Sequence, residues 1–120
     1  MRKMTGQILF RIAALTTVSM SLAAQSSVDA RLAEYREQID GIDRQIVQLL
    51  NQRAAVVERI RNIKKEAKLP IAAPAREQQV LDRVLAAGRE GPLPPATLRR
   101  IYQSILEEMR TWEAKRAALK

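Results

Sequence analysis

The stretch LAEYREQIDGIDRQIVQLLNQRAAVVERIRNIKK, residues 32–65, decides the fold. Apolar and aromatic residues recur in it at alternating spacings of three and four, at positions 32, 35, 39, 42, 46, 49, 56, 60 and 63. This period predicts one apolar stripe along a continuous α-helix. The stripe is interrupted once, at Arg53. Because an unpaired guanidinium is costly to bury, Arg53 either extends to water or meets an anion.

The composition indicates packed helices and excludes several kinds of chemistry. The 120 residues are 47% hydrophobic but only 3% aromatic, and they support one domain. They include no cysteine and no histidine, which excludes disulfides, thiol nucleophiles, histidine bases and the usual zinc ligands. No acidic cluster has the spacing of a carboxylate metal site, so we expect neither a metal nor a cofactor.

The first 24 residues predict a secretory signal peptide. A positively charged start is followed by the apolar stretch IAALTTVSMSLAA, residues 12–24, which is short for a membrane span. Cleavage near residues 23–25 leaves a domain at 25–120 and a periplasmic or secreted protein without stable membrane association. An uncleaved membrane anchor is the alternative. The positive charges of this segment are those of Arg2, Lys3 and Arg11.

The first predicted helix is long. Ser26-Ser27-Val28-Asp29 has the form of a capping box, so we expect the helix to begin there and to continue to about Lys68, before Pro70. Roughly 40 helical residues extend about 60 Å. A chain this short cannot cover such a helix by itself, so we expect a helical-bundle homodimer in which two long helices cover each other's stripes.

Two shorter helices are predicted to follow. One is expected to start near Pro74, a favourable first-turn residue, and to stop at Gly88. The other is expected to begin around Pro95 and to carry a broad apolar face that ends near Trp112. The predicted fold class is therefore all-α, with one long and two shorter helices in each chain.

Three basic residues of the long helix define a candidate site. Lys64 lies 11 residues beyond Arg53, about 16 Å along the axis and about 20° from the same face. Arg36 lies about 25 Å on the other side of Arg53 and is rotated by about 100°. It cannot share a small site with the other two within one helix. In an antiparallel pair of helices, Arg36 of the second chain can.

The chain resembles the all-helical class of chorismate mutases over essentially all of its length after residue 24. The resemblance rests on residues 32–65, a link that contains proline, AREQQVLDRV at 75–84 and IYQSILEEMRTWE at 101–113. It implies the rearrangement of chorismate to prephenate in aromatic amino acid biosynthesis by the shikimate pathway. This pericyclic reaction needs no nucleophile or proton shuttle, which agrees with the missing histidine and cysteine. The matching positions are Arg36, Ile42-Asp43, Arg53 after a Leu-Leu pair, Lys64 and Arg76-Glu77.

The resemblance also implies a role for each matching residue. Arg36 of the partner chain and Arg53 would bind the two carboxylates of the substrate. Lys64 would contact the ether oxygen and one carboxylate. Glu77 would accept a hydrogen bond from the ring hydroxyl, and Arg76 would complete the charged wall.

Three positions depart from the family pattern. Glu113 stands where relatives carry a glutamine that donates to the ether oxygen, so we expect Glu113 to act only when protonated, with a pKa raised by a dry site. Ala73 stands where aspartate is frequent, and we expect its backbone N–H to contact the hydroxyl of the substrate instead. Met109 replaces a small polar residue. The expected catalytic residues are thus Arg53, Lys64 and Glu113.

Two alternative functions stay open from the sequence. Isochorismate pyruvate lyase shares this architecture, and the link IAAPARE at residues 71–77 is similar to that relative. The other alternative is a basic helical protein that binds nucleic acid or acts as a coiled-coil adaptor. Mixed charges along the helices, few aromatic residues and the predicted signal peptide argue against nucleic acid.

Overall fold

The structure is a computed structural model that describes the backbone of residues 5–119 and the side chains of residues 21–119. This part contains three helices and no strand: α1 (Thr5–Glu66), α2 (Pro74–Ala87) and α3 (Pro95–Ala118). The all-α prediction of one long and two shorter helices is confirmed. The chain divides into two compact units, one up to Gln48 and one from Leu49 onward.

The predicted start of the long helix is wrong. The capping box Ser26–Asp29 lies inside α1, which is continuous from Thr5. The side chain of Asp29 does not cap a helix end, because it accepts a hydrogen bond of 3.2 Å from Nε2 of Gln25 one turn earlier. A capping box marks the start of a helix only where the backbone before it leaves the helical conformation. Nothing between Thr5 and Asp29 forces it to do so, since the only glycine there is Gly6, in the first turn.

The signal-peptide prediction, residues 1–24, falls mostly outside the residues whose side chains are described. Among the residues that the structure describes, no helix has both the length and the apolar character that crossing a membrane requires.

The first unit presents the apolar stripe of α1 on its surface. From residue 21 to Gln48, the large apolar side chains of the stripe are between 44% and 60% exposed. Apolar residues that are contiguous and exposed usually mark a surface that binds another protein. The stripe residues concerned are Leu32, Tyr35, Ile39, Ile42 and Ile46.

The second unit is built on α2 and α3, which pack against each other. Leu81 of α2 and Leu106 of α3 are its most buried apolar residues, each 7% exposed. Both helices begin with the predicted prolines, and α2 ends before Gly88, as predicted. A Cβ added at Gly88 would collide with Cδ2 of Leu98, so a larger residue there would force this side chain of α3 to move. The backbone of Gly88 therefore packs closely against α3.

The C-terminal end of α1 is closed by a Schellman motif. Lys68 adopts a left-handed conformation with φ of 56°. The N–H of Lys68 donates to the carbonyl of Lys65 at 3.2 Å, and the N–H of Leu69 donates to the carbonyl of Lys64 at 2.8 Å. The helix therefore stops at Glu66, before Pro70 can act on it. The reversal turns the link toward α2 and brings it back beside Lys64.

Candidate active site

The second unit contains a cavity of about 290 Å³. The part of α1 after Leu49 supplies one wall, the link and α2 supply another, and α3 supplies the third. Its apolar lining comes from side chains at helical spacing on each element, which hold the charged groups in place. These apolar residues include Val57, Ile60, Val80 and Leu106.

Seven of the eight site residues predicted from the sequence line this cavity. They are Arg53, Lys64, Ala73, Arg76, Glu77, Met109 and Glu113. Arg36 does not, because it belongs to the first unit, where its side chain is exposed. The structure thus gathers one set of predicted residues within the second unit of a single chain. Their roles toward a substrate stay predictions.

The charges of the cavity favour a ligand with two negative charges. Four cationic side chains and two carboxylates line it, which leaves a formal excess of two positive charges when both carboxylates are ionised. Arginine forks and an ammonium group are the usual partners of carboxylates. The cations are Arg53, Lys64, Arg76 and Arg110, and the carboxylates are Glu77 and Glu113.

The ammonium group of Lys64 has a fixed position. Its Nζ donates a hydrogen bond of 3.0 Å to the backbone carbonyl of Ile71 in the link. The side chain is partly buried, and two further N–H groups of the ammonium stay free to donate to a ligand. Because the link is turned back by the Schellman motif at Lys68, the end of α1 itself positions this cation.

Glu77 is held by a residue that the sequence analysis missed. Nε of Arg110 on α3 lies 2.9 Å from Oε1 of Glu77, which is in the first turn of α2. The neighbouring Arg76 points its Nη1 to Oε1 of Gln79 at 3.5 Å. Helical spacing could have found Arg110, because it lies one turn before Glu113 on the same helix.

Burial raises the pKa of Glu113 above its ordinary value, the direction that the sequence analysis expects. The positive charges of Lys64, Arg61 and Arg53, in that order, lower the pKa of Glu113 and reduce this effect. The carboxyl group therefore lies among cations of α1 in a partly dry environment. In this position it can serve as a hydrogen-bond donor when protonated.

A second group of charges joins α1 to α3 close to Glu113. Arg61 is only 6% exposed, and its Nη2 lies 3.7 Å from Oε1 of Glu58. The same Oε1 accepts a hydrogen bond of 2.6 Å from Nη2 of Arg116. The guanidinium of Arg116 lies 5.3 Å from the ring centroid of Trp112, the residue before Glu113. Sequence reasoning missed this group, since it depends on a contact between distant segments.

No cluster of three potential metal ligands occurs in the part of the chain that the structure describes.

The sequence of the chain matches a known protein family. The family described as "Chorismate mutase type II" matches residues 35–114. The chain is 39% identical over 87 residues to the bifunctional chorismate mutase/prephenate dehydratase of Aquifex aeolicus. This alignment covers 70% of the chain and 24% of that protein. It is 31% identical over 77 residues to the chorismate mutase of Methanocaldococcus jannaschii, which covers 64% of this chain and 78% of that protein.

The fold is also similar to that of solved chorismate mutase structures. A chorismate mutase from Thermus thermophilus superposes with a TM-score of 0.67 and 30% sequence identity, over 70% of this chain and 94% of that one. A second crystal form of it gives a TM-score of 0.63 over 98% of its chain. The chain spans about a quarter of the length of the bifunctional relative. Because the family match covers residues 35–114, which is more than half of the chain, the chain belongs to the chorismate mutase type II family.

Proposed function

We propose that the protein is a chorismate mutase that converts chorismate to prephenate without a cofactor. Family membership supports this proposal, and one observation carries it. Arg53, Lys64, Glu77 and Glu113 come from three different helices and line one cavity with an excess of positive charge. Chorismate is a dianion, and its rearrangement requires only that it be held and stabilised.

The proposed mechanism uses position and charge. An ether C–O bond of chorismate breaks as a new C–C bond forms, and negative charge grows on the ether oxygen. Arg53 binds a carboxylate and keeps the flexible substrate in its compact conformer. Lys64, already oriented by the carbonyl of Ile71, donates to the ether oxygen as the charge develops. Ile60 in the apolar wall is 46% exposed, so the partner helix of the proposed homodimer would have to cover this wall, and the resulting exclusion of water would strengthen both interactions.

Glu113 is the second donor to the ether oxygen in this mechanism. An ionised carboxylate would repel the developing negative charge, so only the protonated form stabilises the transition state. Burial raises the pKa of Glu113, which supports this assignment. The carboxyl group needs no proton transfer to act, because it donates a hydrogen bond and keeps its proton.

The active unit of the proposal is a homodimer that shares its sites. The exposed apolar stripe on α1 supports an antiparallel partner helix, which would cover the stripe and bring Arg36 of the second chain to the cavity. Arg36→Ala and Arg53→Ala chains are each expected to be nearly inactive alone and to regain part of the activity when refolded together. A mixture as inactive as its components contradicts the shared site.

Two substrates test the proposed activity. The purified protein should form prephenate from chorismate, measured by the loss of chorismate absorbance and by product chromatography. Salicylate and pyruvate from isochorismate would instead indicate the lyase reaction on the same fold. Full helicity by circular dichroism without turnover of either substrate would support a helical interaction protein and refute the enzymatic proposal.

We also propose that residues 1–24 direct export to the periplasm or the medium. The basic start and the apolar stretch that follows support this assignment. Expression of the whole chain in a Gram-negative host should yield a periplasmic protein whose N-terminus, read by mass spectrometry, lies near residue 25. A full-length protein found only in the cytoplasmic fraction contradicts it.

A further inference from the structure

The ion pair between Arg110 and Glu77 crosses the cavity wall from α3 to α2. Both residues line the cavity, and Nε of Arg110 lies 2.9 Å from Oε1 of the carboxylate. The side chain of Glu77 is 28% exposed and that of Arg110 is 53% exposed. This contact favours one orientation of the carboxylate, with Oε1 directed to Arg110.

Folding stability does not explain this pair. Ion pairs with this degree of exposure contribute little to the free energy of unfolding. Glu77 already lies in the first turn of α2, where the helix dipole favours a negative charge without any help from α3. Its neighbour Arg76 contacts Gln79 on the same helix. The specific effect of Arg110 is therefore to orient Glu77 within the cavity.

We propose that Arg110 is a positioning residue that holds Glu77 so that Oε2 accepts a hydrogen bond from the ring hydroxyl of the substrate. This inference rests on the proposed mutase activity and on the role of Glu77 in it. Arg110 acts through Glu77, so its contribution concerns one functional group of the substrate. A site that binds a hydroxyl through an oriented carboxylate discriminates against a ligand that lacks the hydroxyl.

The test compares chorismate with the analogue that lacks the ring hydroxyl. We expect Arg110→Ala to lower kcat/KM for chorismate about tenfold, the usual size of the loss of one oriented hydrogen bond to a charged group. For the analogue, kcat/KM should change less than about twofold, since no hydroxyl is present to use Glu77. Arg110→Lys should restore part of the loss. Arg100→Ala, at an exposed position of α3 outside the cavity, is the matched control and should leave both values unchanged.

A test in the Glu77→Gln variant separates the loss of Glu77 orientation from general damage to the active site. In a Glu77→Gln chain, Arg110→Ala should cause no further loss with chorismate, because its target is gone. Equal losses with both substrates, full additivity in this background, or no loss at all would each overturn the inference while leaving the mutase activity intact. If the unmodified protein forms no prephenate, the proposed function fails, and the inference fails with it.

Discussion

The pH dependence of turnover offers a sharp test of Glu113. Glu113→Gln replaces the carboxyl group by an amide that donates a hydrogen bond at every pH. A second variant, Arg61→Met, changes the environment of Glu113 without altering the cavity lining, since Arg61 is not among the residues that form it. Arg61 is 6% exposed, and we expect Glu58, which accepts a hydrogen bond of 2.6 Å from Arg116, to keep this partner in the variant.

The sign of each effect follows from the pKa of Glu113. Burial raises it, and the protonated form is the active one, so kcat/KM should fall as pH rises through the raised pKa. The loss of one proton gives a fall of about tenfold per pH unit above that point. Glu113→Gln should remove this falling limb of the pH profile. Because the charge of Arg61 lowers the pKa, Arg61→Met should move the limb to higher pH.

The assay is a pH series of kcat/KM for chorismate with the unmodified protein and both variants, in buffers of constant ionic strength. The pH dependence of the free energy of unfolding gives an independent measurement of the same pKa. A carboxyl group with a raised pKa in the folded state contributes stability that is lost as pH rises through that pKa, and Glu113→Gln should abolish this dependence. An identical falling limb in Glu113→Gln, or an unshifted limb in Arg61→Met, would refute the reasoning.

Two further predictions concern stability. Lys68→Gly should raise the free energy of unfolding by up to about 1 kcal/mol, because glycine adopts the left-handed conformation without a steric penalty; a urea titration measures this, and a loss of stability would contradict it. Glu58→Ala should destabilise the protein more than Arg116→Ala, because it also leaves the buried Arg61 without its carboxylate. Thermal unfolding ranks the two variants, and the reverse order would contradict the account.

Local signals in the sequence were sufficient for much of the fold. Pro74 and Pro95 are favourable at helix starts, and α2 and α3 begin at them. Gly88 directly follows Ala87, the last residue of α2, as expected for a glycine at the end of a helix. The spacing of Arg53 and Lys64 places them on one face, and both line the cavity. These features depend on residues close in sequence, or on helix geometry, so they could be read without a structure.

The remaining features depend on contacts that no local pattern encodes. The capping box Ser26–Asp29 is a real local signal, but the continuous backbone of α1 overrides it. Arg110 gains its significance only when α3 packs beside Glu77. The burial of Arg61 likewise depends on the approach of α3, whose Arg116 lies 58 residues after its partner Glu58, and patterns within a single helix do not report such a contact.

The kinetics of Lys64→Met test the central claim that fixed cations in this cavity stabilise the rearrangement of chorismate. Methionine keeps much of the apolar length of lysine but removes the ammonium group that the carbonyl of Ile71 holds at 3.0 Å. The account predicts that kcat for prephenate formation falls roughly 100-fold to 1,000-fold, the usual loss when one preorganised donor is removed, while helicity is retained. A folded Lys64→Met protein with an unchanged kcat would contradict it.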